Sequence, residues 1–219
     1  MKQQLESVRS NELLAPHLDY ILLDGSASMR GRWWDWLSAV QGYVKVLQRA
    51  NFQSHGIVSV FDTQNLQRIQ RDKAIKDWPE MTQAPLDSTF GGTPLYDAVN
   101  MLGRHIKELA PKQSVTIIIV TDGEEFDSQH TTAAQAKAIL DWLRDQGHQI
   151  IFLGADFENS AQAKLLGATQ QNYLGVQTTK AEDATGELAR KRLEHAHSGK
   201  PIEFSDEEKE QFGGFLAHY

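Results

Sequence analysis

The sequence predicts an α/β fold: a doubly wound, mostly parallel sheet with one antiparallel edge strand and helices on both faces. Three observations predict it. The apolar residues of the run at 115–121 are continuous rather than alternating, so both faces of that strand are covered, and further apolar runs stand at 18–23 and 150–153. Strand-like and amphipathic helical stretches alternate through the second half of the chain. Loops of Asp, Gly and Ser follow the apolar runs, at the strand ends where an open parallel sheet carries its ligands.

The elements follow in order. Residues 1–16 read as a peripheral leader ended by Pro16. A buried strand over 18–24 runs into the tight loop Gly25-Ser26-Ala27-Ser28. Trp33, Trp36, Leu37, Val40, Val44 and Leu47 keep helical spacing and predict a helix over 33–49. A strand over 55–61 is followed by a turn at 63–65 and a short partner over 66–69, an antiparallel hairpin at the sheet edge. Pattern weakens over 71–88, where Pro79 and Pro85 break any long helix. Phe90-Gly91-Gly92-Thr93-Pro94 then opens an amphipathic helix over 95–109, with Thr93 as N-cap and Pro94 at the first helical position.

The run VTIIIVT over 115–121 is the strongest strand signal, closed by Asp122-Gly123-Glu124-Glu125. A helix over 132–146, a strand over 149–154 and a short helix over 160–166 stopped by Gly167 come next. A strand over 172–176 and a helix over 179–197 complete the domain, which is set at 17–197. The tail 198–219 changes composition and reads as a C-terminal extension, either disordered or a short docking segment.

Composition narrows the partners. Of 219 residues, 40% are hydrophobic and 23% charged, with a formal net charge of −7. That balance argues against nucleic acid, which demands a clustered basic surface. The densest basic run, Arg190-Lys191-Arg192, reads as a solvated helix face among Glu187 and Glu194. His195 and His197 read as surface or capping residues at the same helix end. Cysteine is absent, which removes disulfides and thiolate chemistry and fits a reducing compartment. No stretch approaches the roughly 20 apolar residues of a membrane span, and the first twenty residues hold no apolar signal core. The expectation is a soluble, cytoplasmic protein without membrane partners.

The candidate metal ligands sit at those strand ends. Asp24, Ser26 and Ser28 are each two residues apart, so an extended loop points their side chains the same way. Thr93 precedes a helix and Asp122 ends the central strand. All are hard oxygen donors, chemistry that selects Mg²⁺ or Mn²⁺, with Ca²⁺ less favoured, over Zn²⁺ or copper.

Asp-x-Ser-x-Ser at 24–28, Gly-Gly-Thr-Pro at 91–94 and an apolar strand ending Thr-Asp-Gly at 121–123 together resemble the von Willebrand factor A domain. They match its metal ion-dependent adhesion site, with every expected donor present. The resemblance implies a Rossmann-like sheet with one divalent ion at its upper edge. It implies that Ser26 and Ser28 bind the ion directly, that Asp24 and Asp122 act through water, and that Thr93 does either. It implies further that an open coordination position captures an Asp or Glu of a partner protein. Intracellular bacterial and phage members of the family often accompany AAA+ ATPases of the MoxR type, as adaptors.

Residues flanking the three loops are candidates for partner contact: Arg30, Arg32 and Trp34; Phe90 and Tyr96; Glu124, Glu125 and Phe126. Trp34 lies off the apolar stripe of its helix, and Arg and aromatic residues are common at binding hot spots. The reading is therefore a protein-binding module rather than an enzyme. Two alternatives are a Mg²⁺-dependent phosphatase-like hydrolase and a phage structural or assembly protein with a structural metal. A phosphatase of the haloacid dehalogenase kind wants a second Asp two positions after the first, where this chain has Ser26. Neither a phosphate-binding Walker loop nor a Gly-x-Ser-x-Gly nucleophile motif is present.

Overall fold

The computed structural model describes residues 17–66, 68–122, 125–155 and 160–213. The predicted leader, Glu124 and residues 214–219 of the predicted extension lie outside them. Six strands form one sheet: β1 (His17–Asp24), β2 (Ser54–Phe61), β3 (Arg68–Ala74), β4 (Val115–Thr121), β5 (Gln149–Ala155) and β6 (Tyr173–Val176). Their order is β3-β2-β1-β4-β5-β6, parallel except for β3, which pairs antiparallel with β2 at the edge. The helices are α1 (Trp33–Arg49), α2 (Leu95–Leu109), α3 (Ala133–Asp145), α4 (Ser160–Leu165), α5 (Ala181–Ser198) and α6 (Asp206–Gly213).

The pleat sorts the strand residues into two cores. Ile21, Leu23, Val58, Val60, Ile118, Val120, Ile151 and Leu153 pack with α1 and α5 on one face. Tyr20, Leu22, Ile57, Ile117, Ile119, Ile150 and Phe152 pack with α2 and α3 on the other. Continuous apolar strands are thus continuous because each face has its own helical layer. Among the described residues no helix is long and apolar enough to cross a membrane.

Chain order places the ligand end of the sheet. After β1 the chain builds outward through β2 and β3, then returns to lay β4 on the other side of β1. The loops leaving β1 and β4 therefore part in opposite directions and open a crevice at their carboxyl ends. Leu23 pairs with Val120, so Asp24 and Thr121 close the two strands side by side.

Several elements differ from expectation. The edge strand runs Arg68–Ala74 rather than 66–69, because its sequence RIQRDKA is mostly polar and exposed and gives no apolar signal. Its register shifts between Val58 and Ser59 of β2. The weak region after it holds a single 3₁₀ turn (Ile75–Asp77) and buries Trp78, Met81 and Leu86. Arg71 organises that segment: it donates to the carbonyls of Pro79 and Ala84 and lies over the Trp78 ring. As far as Gly213 the tail packs back on the domain, burying Ile202, Phe204 and Phe212 in the α1–α5 core. Backbone bonds from Phe204 to Gln171 and from Gln177 to Phe212 tie it alongside β6.

The basic run is also divided. Arg190 pairs with Glu187, and Lys191 with Glu208 of α6, but Arg192 is 1% exposed. Its Nε donates to Asp19 Oδ1 at 2.7 Å, and Tyr43 donates to the same oxygen at 2.9 Å. The buried ion pair joins α5, α1 and the start of β1. Periodicity alone missed it because Asp19 lies 173 residues away in sequence.

Candidate metal centre

Beyond β1 the backbone turns sharply at Gly25, whose N–H donates to the Phe61 carbonyl at 2.8 Å. A Cβ there would stand 2.7 Å from Val60 Cγ1 and closer still to Ser88, so only glycine lets the loop lie down. The chain then winds through a 3₁₀ segment, Ala27–Arg32, directly into α1. This brings the Asp-x-Ser-x-Ser residues over the end of β4.

Four of the predicted donors form one hydrogen-bonded group. Asp24 is fully buried and accepts from Ser26 N–H at 2.8 Å and Thr121 Oγ1 at 2.6 Å. The hydroxyls of Ser26 and Ser28 lie 2.9 Å apart. Ser28 donates in turn to Asp122 Oδ1 at 2.6 Å. Arg32 Nη1 donates to the other Asp122 oxygen at 2.9 Å, closing the row with a positive charge. Burial pushes the Asp24 carboxyl up to about 7; hydrogen bonds from Thr121 and Ser26 oppose that shift and the charge of Asp122 adds to it.

Thr93 joins through its backbone. Gly91 O accepts from Ala27 N–H at 2.8 Å, stitching the Gly-Gly-Thr loop to the Ser loop. Thr93 O accepts from Phe126 N–H at 3.2 Å, stitching it to the loop after β4. The helix α2 starts at Leu95 as expected, but Pro94 rather than Thr93 holds the cap position and no side chain there makes a cap hydrogen bond. The capping acceptor is Glu125 Oε2, which takes Tyr96 N–H at 2.9 Å. Glu125 also accepts from both Ser128 N–H and Ser128 Oγ. A negative side chain at a helix start is favourable, and this one comes from a different loop.

The other candidate contact residues separate by surroundings. Trp34 is 62% exposed and Phe126 85% exposed. Arg30 lies over the Phe90 ring at 5.0 Å, and Trp33 meets that ring edge-on at 5.7 Å. Tyr96 is half-buried, its hydroxyl accepting from Gln162 at 2.7 Å. Arg32 points inward to Asp122, and Glu125 is committed to the α2 start. Two contributors were not among the predicted donors: Thr121, which entered only as the first residue of the Thr-Asp-Gly strand end and donates to Asp24, and Ser88, which donates to the Gly25 carbonyl.

The donor set fits a small hard cation. It offers hydroxyl and carboxylate oxygens on loops fixed to one another, and the buried Asp24 carboxylate calls for positive charge nearby. No group of three or more His, Cys, Asp or Glu that could hold a metal occurs among the described residues, so any such site here depends on hydroxyls.

The fold defines a class: the chain has the fold of von Willebrand factor A domains. It superposes on the vWF domain of the type V pili tip protein Mfa5 from Porphyromonas gingivalis with a TM-score of 0.67. Identity is 11%, over 85% of this chain and 98% of that one. The pilus adhesin SpaC from Lactobacillus rhamnosus GG gives 0.66 at 11% identity over 81% of this chain, which spans 30% of SpaC's length. Manganese-loaded Plasmodium vivax TRAP protein gives 0.53 at 14% identity, covering 77% of this chain and 71% of that one. No protein-family model matches the sequence, and no curated protein sequence matches it.

Proposed function

We propose that this chain is a divalent-metal-dependent protein-binding module that captures an acidic side chain of a partner. The observation that carries this reading is the continuous row Ser26–Ser28–Asp122 beside Asp24, at the crevice where β1 and β4 part. A Mg²⁺ or Mn²⁺ ion bound there would supply a Lewis-acidic position for a carboxylate oxygen. Ser26 and Ser28 add donors without adding charge, leaving a net attraction for an anion. Asp24 anchors the Ser loop through Ser26 N–H, and the Gly91–Ala27 bond holds Thr93's loop against it. The exposed Trp34 and Phe126 give a partner apolar area at the rim.

The module is read as non-enzymatic, since the position of a second catalytic carboxylate is taken by Ser26. An adaptor role in an intracellular bacterial or phage complex, beside a MoxR-type AAA+ ATPase, follows from the sequence resemblance and the absence of cysteine.

The test is capture of partners from a lysate in Mg²⁺ and in EDTA, with Ser26→Ala/Ser28→Ala in parallel. Capture by the native chain is expected to need Mg²⁺. The double variant is expected to lose capture, and the Mg²⁺-dependent rise in melting temperature, while keeping the native circular dichroism. Capture that persists in EDTA would defeat the reading.

A further inference from the structure

Arg32 is paired with one of the candidate metal ligands, Asp122. Its guanidinium lies 2.9 Å from Asp122 Oδ2, and the Asp122 side chain is 1% exposed. The remaining Asp122 oxygen is held by Ser28, which is in turn bonded to Ser26. The row therefore satisfies itself, with Arg32 supplying its positive end. The Arg32 side chain is 32% exposed, so a path to solvent exists that Asp122 lacks. Neighbouring Arg30 is placed differently: it lies on the Phe90 ring, off the carboxylates.

We propose that Arg32 is a tethered cation that competes with the divalent ion for Asp122 and so sets the site's metal affinity. The inference rests on the metal-binding reading and deepens it. A guanidinium and a divalent ion on one buried carboxylate repel, and neither gains full solvation there. Metal entry thus requires Arg32 to leave Asp122 for the solvent side of the crevice. Once displaced, the guanidinium sits at the rim, where it adds a bidentate donor for a carboxylate. Metal occupancy and anion attraction are then coupled through one side chain.

The experiment is calorimetric titration with MgCl₂ and with MnCl₂ of the full chain, Arg32→Gln, Arg32→Lys and Arg30→Gln, each checked for native circular dichroism. Arg32→Gln is expected to bind metal roughly three- to tenfold more tightly, the factor set by losing one charge-assisted hydrogen bond on the competing side. Arg32→Lys keeps the competing charge and is expected near the native affinity. Arg30→Gln removes the same net charge away from Asp122 and is expected to change affinity far less. Metal binding by Arg32→Gln alone, with none by the native chain, also supports the competition. Equal or weaker binding by Arg32→Gln than by the native chain overturns this inference and leaves the metal reading standing. Equal tightening by Arg30→Gln reduces the effect to general electrostatics and overturns it too. Binding by neither native chain nor Arg32→Gln overturns both.

Discussion

Asp24 concentrates the tension of the centre in one side chain. Its carboxyl titrates near 7 in the folded protein against an ordinary 3.8, because burial removes it from water. Between those values the folded state keeps a proton that the unfolded chain has released. The stability this group contributes in metal-free protein is therefore full below about 3.8 and lost as pH rises through 7. Asp24→Asn keeps the shape and both partners, since the Thr121 hydroxyl can reverse its bond. In EDTA at pH 8 the variant is expected to be more stable than the native chain by about 1–2 kcal/mol, with no gain at pH 4. Urea unfolding at the two pH values measures it. In Mg²⁺ the order is expected to reverse, because the amide gives up the charge that a cation needs. Asp24, Ser26, Ser28 and Asp122 were legible because each closes or follows an apolar run. The bond of Thr121 to Asp24 and the pairing of Arg32 with Asp122 were not, because they join residues 97 and 90 apart in sequence.

At the scale of elements, legibility followed burial. β1, β2, β4, β5, α1 and α2 announced themselves, since their apolar residues feed one of two cores. The edge strand β3 was read too short because one face meets solvent and polar residues serve it well. Thr93-Pro94 has the sequence of a cap, yet the cap of α2 is a carboxylate from the loop after β4, a tertiary contact overriding a local preference. Arg192 was misread for the same reason. Helical periodicity marks a face as polar without saying whether that face meets water or a buried Asp19. Removing one partner of such a pair leaves a bare charge in the core. Arg192→Leu is expected to cost about 3–5 kcal/mol in denaturant unfolding, and adding Asp19→Asn is expected to recover part of the loss. The candidate metal centre lies at the far end of β1, so under the metal-binding proposal any stabilisation by Mg²⁺ is expected to persist in the double variant.

Across the whole molecule, the described part of the tail, as far as Gly213, packs into the domain. Ile202, Phe204 and Phe212 enter the same core as α1 and α5, and Lys191 and Glu208 clasp it from outside. A chain ending at residue 198 is expected to melt roughly 5–10 °C lower by calorimetry, since it exposes the apolar surface those side chains cover. Composition pointed to an extension because Gly, Pro and acidic residues outnumber the apolar ones; the few apolar side chains were enough. The path of this tail also governs how molecules meet. It runs along the outer side of β6, while the opposite border of the sheet is β3, with Arg68, Asp72 and Lys73 on it and a register shift behind. One border is shielded and the other is charged and bent, so strand-to-strand stacking of copies is discouraged at both. A crowded solution of this protein should therefore stay free of fibrils.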